Sequence, residues 1–169
     1  VVDAIAHGYT SFNRDVIARN TSRRNFRIYK YDGYFANIGS LAEYYSHSME
    51  LLGTPENRDE IFGIKTRPIY TKVRNSAPTR YAESSCVKNS LIADGCIIDG
   101  TVENSIIFRG VKISRGATVK NSILFQDTVI GENVFLNCVI TDKNVVIRDG
   151  RILSGHETLP FFVEKNRLV

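Results

Sequence analysis

A short phrase returns four times in the second half of the chain, and this repeat constrains the fold more than any other feature. The phrase is an Asn, a small residue and two aliphatic residues. It begins at Asn89, Asn104, Asn121 and Asn137, so its four copies are nearly evenly spaced along the chain. Such regular recurrence is typical of stacked structural repeats, in which each repeat contacts only its neighbours. We therefore expect residues 86–147 to form coils that stack on one another.

Aliphatic residues also recur six positions apart within the repeats. Because side chains alternate along a strand, residues spaced in this way point to one side, and steps such as Asp99-Gly100 turn the chain between strands. The pattern predicts a parallel β-helix of hexapeptide type, a three-sided column with an aliphatic interior. Its predicted core residues are Ile92, Ile98, Ile113, Val119, Ile130 and Leu136.

A β-sandwich is the alternative, since it also gives many short strands with regularly spaced turns. It does not explain why Asn and Ser return at one angular position, where their side chains can hydrogen-bond from coil to coil. The step from Ile98 to Ile113 is not a multiple of six positions. We therefore expect one coil to be short or to carry a bulge.

The sequence predicts a mixture of helices and strands in the first half of the chain. Ser11 is a candidate N-cap for a helix within residues 1–21. Alternating aromatic and aliphatic residues predict strands at 26–31 and 34–38.

A second helix is predicted to begin at Ser40 and run through Leu52, because Ser40 and Glu43 form a capping box. One face of this helix is apolar and needs a partner surface. Residues 56–81 are predicted to be an extended connector, since prolines hold the chain out of helix. Residues 160–163 read as a last strand that caps the open end of the solenoid.

Composition and charge exclude several classes of protein. The net charge is +4, and no run of basic residues supports nucleic-acid binding. No apolar run is long enough to cross a bilayer, and the N-terminus has no targeting signal. Cys86, Cys96 and Cys138 lack C-x-x-C spacing and are expected to be free thiols in a reducing cytoplasm. We expect a soluble, cytoplasmic protein, and we interpret the start at Val1, without Met, as part of a longer chain.

The residues themselves offer little catalytic equipment. The sequence has no glycine-rich phosphate loop, no H-E-x-x-H motif, no nucleophile elbow and no useful carboxylate pair within the repeats. We interpret His156, His7 and His47 as surface or packing residues. Five basic residues are candidate anion or effector contacts if the connector brings them together, although such residues more often form a solvated face: Arg23, Arg24, Lys72, Arg74 and Arg80.

Four features follow one another in a specific order: the motif Tyr31-x-x-Tyr34-Phe35-x-Asn37-Ile38-Gly39-Ser40, a helix ending in Leu51-Leu52, a connector from Ile69-Tyr70-Thr71 to Pro78-Thr79-Arg80-Tyr81, and the Asn-Ser-Leu-Ile hexads. In this order they resemble the C-terminal part of a glucose-1-phosphate adenylyltransferase (ADP-glucose pyrophosphorylase), and they are most similar to its GlgD-type subunit of Gram-positive bacteria. The resemblance covers nearly the whole chain.

This resemblance implies three parts. Residues 1–55 would be the C-terminal remnant of a nucleotidyltransferase domain, residues 56–81 the connector, and residues 82–169 a single-stranded left-handed parallel β-helix. The family makes ADP-glucose and pyrophosphate from ATP and glucose 1-phosphate in glycogen biosynthesis, and its catalytic members use Mg²⁺. The resemblance implies no cofactor in this part of the protein.

Asn37 departs from the family's catalytic motif. Where the motif has an Asp that helps to hold Mg²⁺, this chain has an amide, which supplies an oxygen but no charge; Ser40 likewise replaces a Thr. The resemblance therefore implies a regulatory or assembly subunit without catalytic residues of its own, which pairs with a catalytic subunit in a homo- or hetero-oligomer.

Two other functions stay open. The first is a competent nucleotidyltransferase that tolerates Asn37. The second, a hexapeptide acyltransferase, is disfavoured, because such enzymes need a histidine within the coils and none lies between Cys86 and Ile147.

Overall fold

The structure is a computed structural model that describes residues 2–53, 55–63, 66, 68–70 and 74–169. The chain divides into two compact units, Val1–Gly33 and Tyr34–Val169. The predicted boundaries at residues 55 and 81 stay a prediction.

The first unit consists of short helical segments. They are α1 (Val2–Ala6), a π-helical segment (Phe12–Ile17) and a 3₁₀ turn (Ala18–Asn20). Ser11 is an N-cap, since its side chain accepts a hydrogen bond from the Arg14 N–H at 3.3 Å. The buried Asp15 carboxylate accepts the Ser11 N–H at 3.0 Å, and this bond is the main reason why the pKa of Asp15 is lowered.

The two strands predicted at 26–31 and 34–38 are wrong. Neither stretch forms a strand in the structure. Alternating apolar residues favour a strand only where a neighbouring strand pairs with the backbone and a core covers one face. Here Ile28 is 98% exposed and Phe35 is 79% exposed, so the alternation finds no core within the described residues.

The second unit begins with two helices. Helix α2 (Leu41–Met49) continues as a 3₁₀ turn (Glu50–Leu52), which confirms the predicted helix and its Ser40 cap. Helix α3 (Pro55–Phe62) lies where an extended connector was predicted, so this part of the prediction is wrong. The reason is that Pro55 opens the helix, and a proline in the first helical turn gives up only an N–H that has no intrahelical partner.

The rest of the second unit is a parallel β-helix, which confirms the predicted fold class. Every strand pairing between coils is parallel, and the strands form three five-stranded faces. Face A consists of β1 (Arg80–Tyr81), β4 (Ile97–Ile98), β7 (Lys112–Ile113), β10 (Val129–Ile130) and β13 (Val146–Ile147). Face B consists of β2 (Cys86–Lys88), β5 (Thr101–Glu103), β8 (Thr118–Lys120), β11 (Phe135–Asn137) and β14 (Ile152–Ser154). Face C consists of β3 (Leu91–Ile92), β6 (Ile106–Ile107), β9 (Ile123–Leu124), β12 (Val139–Thr141) and β15 (Phe161–Val163).

Columns of aliphatic side chains fill the interior. Ile113 pairs in register with Ile98 in the coil before it and with Ile130 in the coil after it, and all three are buried. Face B adds a second column that includes Val119 and Leu136, both fully buried. The interior is a single cluster, to which the partly buried Ile92, Val87, Leu153 and Val169 are packed.

Coil length changes only at corners of the column. The step from Ile97 to its partner Lys112 is shorter than the step from Lys112 to its partner Val129, so one coil is short, as expected. The missing residues belong to the corner between β4 and β5, where Gly100 lies so close to the next coil that an added Cβ would meet the Ala117 carbonyl oxygen. The last corner, before β15, is longer than the others, since Ile140 pairs with Phe162.

A ladder of asparagines runs along the corner between faces B and C. Asn89, Asn104 and Asn121 all have positive φ, a conformation that Asn tolerates better than most residues. Each side-chain amide donates to the next one along, from Asn89 to Asn104 (2.9 Å), from Asn104 to Asn121 (2.7 Å) and from Asn121 to Asn137 (2.9 Å).

The fourth repeat is shifted by one residue from the predicted alignment. Lys120 pairs with Asn137 and Ile123 pairs with Ile140, so Cys138, with a φ of 51°, occupies the corner position of Asn121. The backbone register follows the aliphatic columns, because a slip of one residue would turn every side chain to the opposite side.

Candidate functional site

Face C is apolar on both sides, and helix α2 covers its outer side. The outward column of this face contains Ile106, Ile123 and Ile140, which are buried although they do not face the interior. They form a second apolar cluster with Tyr45 and Leu52. The helix thus packs on the solenoid through the face that the sequence predicted to need a partner surface.

Tyr45 fixes this helix to the solenoid with a directional contact. Its ring is 4% exposed, and its hydroxyl donates to the Asn121 carbonyl oxygen at 2.6 Å. Burial, with smaller contributions from Cys138 and Glu157, raises the pKa of the Tyr45 phenol far above its usual value. The hydroxyl therefore stays protonated and remains a donor at neutral pH.

A cavity of about 280 Å³ lies beside this contact. Helix α2 and the 3₁₀ turn that follows it contribute Ser46, Met49 and Glu50, and the asparagine ladder contributes Asn104 and Asn121. Glu157, from the corner before β15, completes the wall. The joint between helix and solenoid is therefore not filled throughout.

The motif of residues 37–40 lies immediately before helix α2. The Ser40 side chain accepts the Glu43 N–H at 3.1 Å, and the Glu43 carboxylate accepts the Gly39 N–H at 2.8 Å, so the predicted capping box is formed. Asn37 is exposed, and its amide nitrogen lies about 3.9 Å from the point where a Cβ on Gly39 would be.

These residues do not fit a Mg²⁺ site. Mg²⁺ is held by carboxylates and phosphates in near-octahedral geometry. Asn37 is neutral, and Glu43 already uses its carboxylate to cap the helix. No group of three or more His, Cys, Asp or Glu side chains suited to a metal occurs in the described part of the chain.

The predicted basic residues lie in different surroundings. Arg23 and Arg24 line a cavity of about 550 Å³ in the first unit, where Arg24 pairs with Asp3 at 3.1 Å. In the second unit Arg74 lies 3.8 Å from Asp127, a carboxylate rather than a bound anion. Arg80 begins β1 and is exposed, and Lys72 falls outside the described residues. Their role as anion or effector contacts stays a prediction.

His156 and His47 contact neighbouring polar side chains, and the three cysteines, all among the described residues, form no disulfide. His156 is exposed and hydrogen-bonds to Thr158 at 2.9 Å, and His47 lies 3.3 Å from Glu50. All three cysteines are free; Cys86 is exposed, whereas Cys96 and Cys138 are buried. Among the described residues no helix is both long and apolar enough to span a membrane.

The sequence interpretation missed the contact between Tyr45 and the solenoid. The sequence does contain a feature typical of a strand covered on both sides: face C carries pairs of adjacent aliphatic residues, such as Ile106-Ile107 and Ile123-Leu124. A strand with one side in solvent would instead alternate apolar and polar residues. Such aliphatic pairs do not by themselves decide which face is covered, because Ile97-Ile98 on face A has the same form while Ile97 is 39% exposed. Which residue of the helix reaches which coil depends on a contact across 76 residues.

Comparison with known proteins gives a consistent set of relatives. Residues 75–158 match the family model described as GlmU-like, C-terminal hexapeptide. The chain is 40% identical, over 94% of its length, to the glycogen biosynthesis protein GlgD of Bacillus subtilis (strain 168), and 53% identical, over 43% of its length, to GlgD of Geobacillus stearothermophilus. It is 32% identical, over 84% of its length, to the glucose-1-phosphate adenylyltransferase of Bacillus thuringiensis (strain Al Hakam).

The chain spans less than half of the length of these relatives: 45% and 20% of the two GlgD proteins and 38% of the adenylyltransferase. The order of motifs, the hexapeptide solenoid and the matches all indicate the same group of proteins. Over nearly its whole length the chain therefore resembles GlgD-type proteins and, slightly less closely, a glucose-1-phosphate adenylyltransferase.

Proposed function

We propose that this chain is part of a regulatory or assembly subunit of the system that forms ADP-glucose from ATP and glucose 1-phosphate, with little catalysis of its own. Asn37 carries the proposal. It stands where the family's catalytic motif has a metal-binding Asp, and an amide cannot neutralise the charge of the phosphates.

The solenoid supports a role in assembly. Helix α2 covers face C, whereas residues of faces A and B, such as Ile97, Phe135 and Ile152, remain partly or largely exposed. Flat faces of parallel strands with exposed apolar side chains are suited to contact with another subunit. The proposed partner is a catalytic glucose-1-phosphate adenylyltransferase subunit.

The assay is ADP-glucose formation by the full-length protein, first alone and then with a catalytic subunit from the same organism. Alone, the protein is expected to give no turnover above background; with the partner, it is expected to change the partner's rate. Robust turnover without a partner would overturn the proposal.

Asn37→Ala sharpens this assay, with Asn75→Ala as the matched control at another exposed asparagine. If Asn37 is not a metal ligand, both variants affect the partner's rate as the wild-type protein does. If the protein is a competent nucleotidyltransferase, Asn37→Ala alone loses turnover.

A further inference from the structure

We propose that Tyr45 is a positioning residue through which the solenoid sets the conformation of residues 37–40. The inference rests on the proposed function and deepens it, because it names the contact through which the solenoid holds the segment that leads into helix α2. The path has three parts, all within the second unit: the asparagine ladder, the Tyr45 hydrogen bond and the capping box of helix α2.

The solenoid end of the path is rigid. Asn121 is tied to the coil before it by the bond from the Asn104 amide and to the coil after it by the bond to Asn137. Its backbone N–H also donates to the Glu103 carbonyl oxygen at 3.1 Å. A shift of this coil therefore moves the carbonyl oxygen that Tyr45 binds.

The Tyr45 hydroxyl gives the joint a directional contact. The packing of Leu52 and Tyr45 on Ile123 is apolar, and apolar contacts alone allow a helix to rotate or slide because they have no preferred direction. The hydrogen bond to Asn121 has such a direction. The cavity beside it leaves room for the helix to move when that bond is lost.

The far end of the path lies within one helical turn of Tyr45. Glu43 precedes Tyr45 by two residues, and its carboxylate holds the Gly39 N–H. Ser40 closes the box from the other side by accepting the Glu43 N–H. A rotation of helix α2 consequently moves Gly39 and Ser40, and with them the neighbouring Asn37.

Amide hydrogen exchange of the full-length protein, without substrate or partner, tests this path. Tyr45→Phe keeps the ring and removes the hydroxyl, so the partly buried Asn121 carbonyl oxygen loses this donor, and exchange in residues 37–44 is expected to speed about tenfold. Tyr44→Phe is the matched control, because it removes a hydroxyl from the same helix while keeping the ring against Phe125. Exchange of the Gly39 amide, bonded to Glu43, is the most direct report.

A second variant approaches the joint from the solenoid. Ile123→Val trims the face under the helix without touching residues 37–40, and the same residues are expected to exchange faster. If residues 37–40 keep their wild-type rates in Tyr45→Phe and Ile123→Val while residues 44–52 exchange faster, the helix docks but transmits nothing, and the inference fails. It also fails if Tyr44→Phe matches Tyr45→Phe. Neither outcome depends on ADP-glucose formation, so the proposed function stands or falls separately.

Discussion

Replacing Ile113 by Ala tests whether the aliphatic columns hold the solenoid together. The side chain is 1% exposed and lies between Ile98 and Ile130 in the neighbouring coils. The substitution removes three carbon atoms, worth roughly 2.4 kcal/mol at about 0.8 kcal/mol for each buried CH₂ group. Because both neighbouring coils keep the space open, a cavity cost is added, and we expect a total loss of about 4 kcal/mol.

Urea unfolding followed by far-UV circular dichroism measures this loss, since the chain has no Trp to report by fluorescence. With a denaturant slope of about 2 kcal/mol per molar, the midpoint should fall by roughly 2 M. Ile113→Val should cost only about 1 kcal/mol, because it removes a single carbon.

The matched control is Lys112→Ala, one residue earlier on the same strand but exposed. It should change the free energy of unfolding by no more than about 0.5 kcal/mol. Equal losses for Ile113→Ala and Lys112→Ala would show that Ile113 does not face the interior, and the assigned register of face A would be wrong.

Two further predictions concern ionisable side chains. A hydrogen bond from Arg109, 2.7 Å away, is the main cause of the lowered pKa of Asp94. A carboxyl group whose pKa is lowered by folding stabilises the fold above its usual pKa of 3.8, and this stabilisation is lost as the pH falls through the folded-state pKa. Asp94→Asn should therefore reduce the urea midpoint at pH 7 and have no such effect in acid. A maleimide should label Cys86 rapidly in the native protein, whereas Cys96 and Cys138 should react only on unfolding, since both are buried and burial raises the pKa of the Cys96 thiol; fast labelling of all three would contradict the described packing.

The solenoid could be predicted from the sequence because its order is local and periodic. Each coil repeats the same alternation, so Ile98, Ile113 and Ile130 identify a common column without knowledge of any distant contact. The cap of helix α2 is also local, since Ser40 and Glu43 are three residues apart.

The sequence-based predictions were wrong where the local structure depends on contacts with distant parts of the chain. The stretch 26–31 alternates like a strand, yet pairing with a neighbour decides whether a strand forms. The shift of Cys138 into an asparagine position could not be read from the repeated phrase, because the register follows the buried aliphatic residues and not the corner residue. The Tyr45 contact joins residues 76 positions apart, and no local pattern specifies it.

The corner before β15 has a practical consequence. This corner contains several residues more than the same corner one coil earlier. The extra residues form a small loop in which His156 and Leu159 pair through an antiparallel bridge. The neighbouring strands keep their pairing, as Ile140 and Phe162 show. A foreign epitope grafted between His156 and Leu159 should therefore be displayed to an antibody while the column beneath it is unchanged.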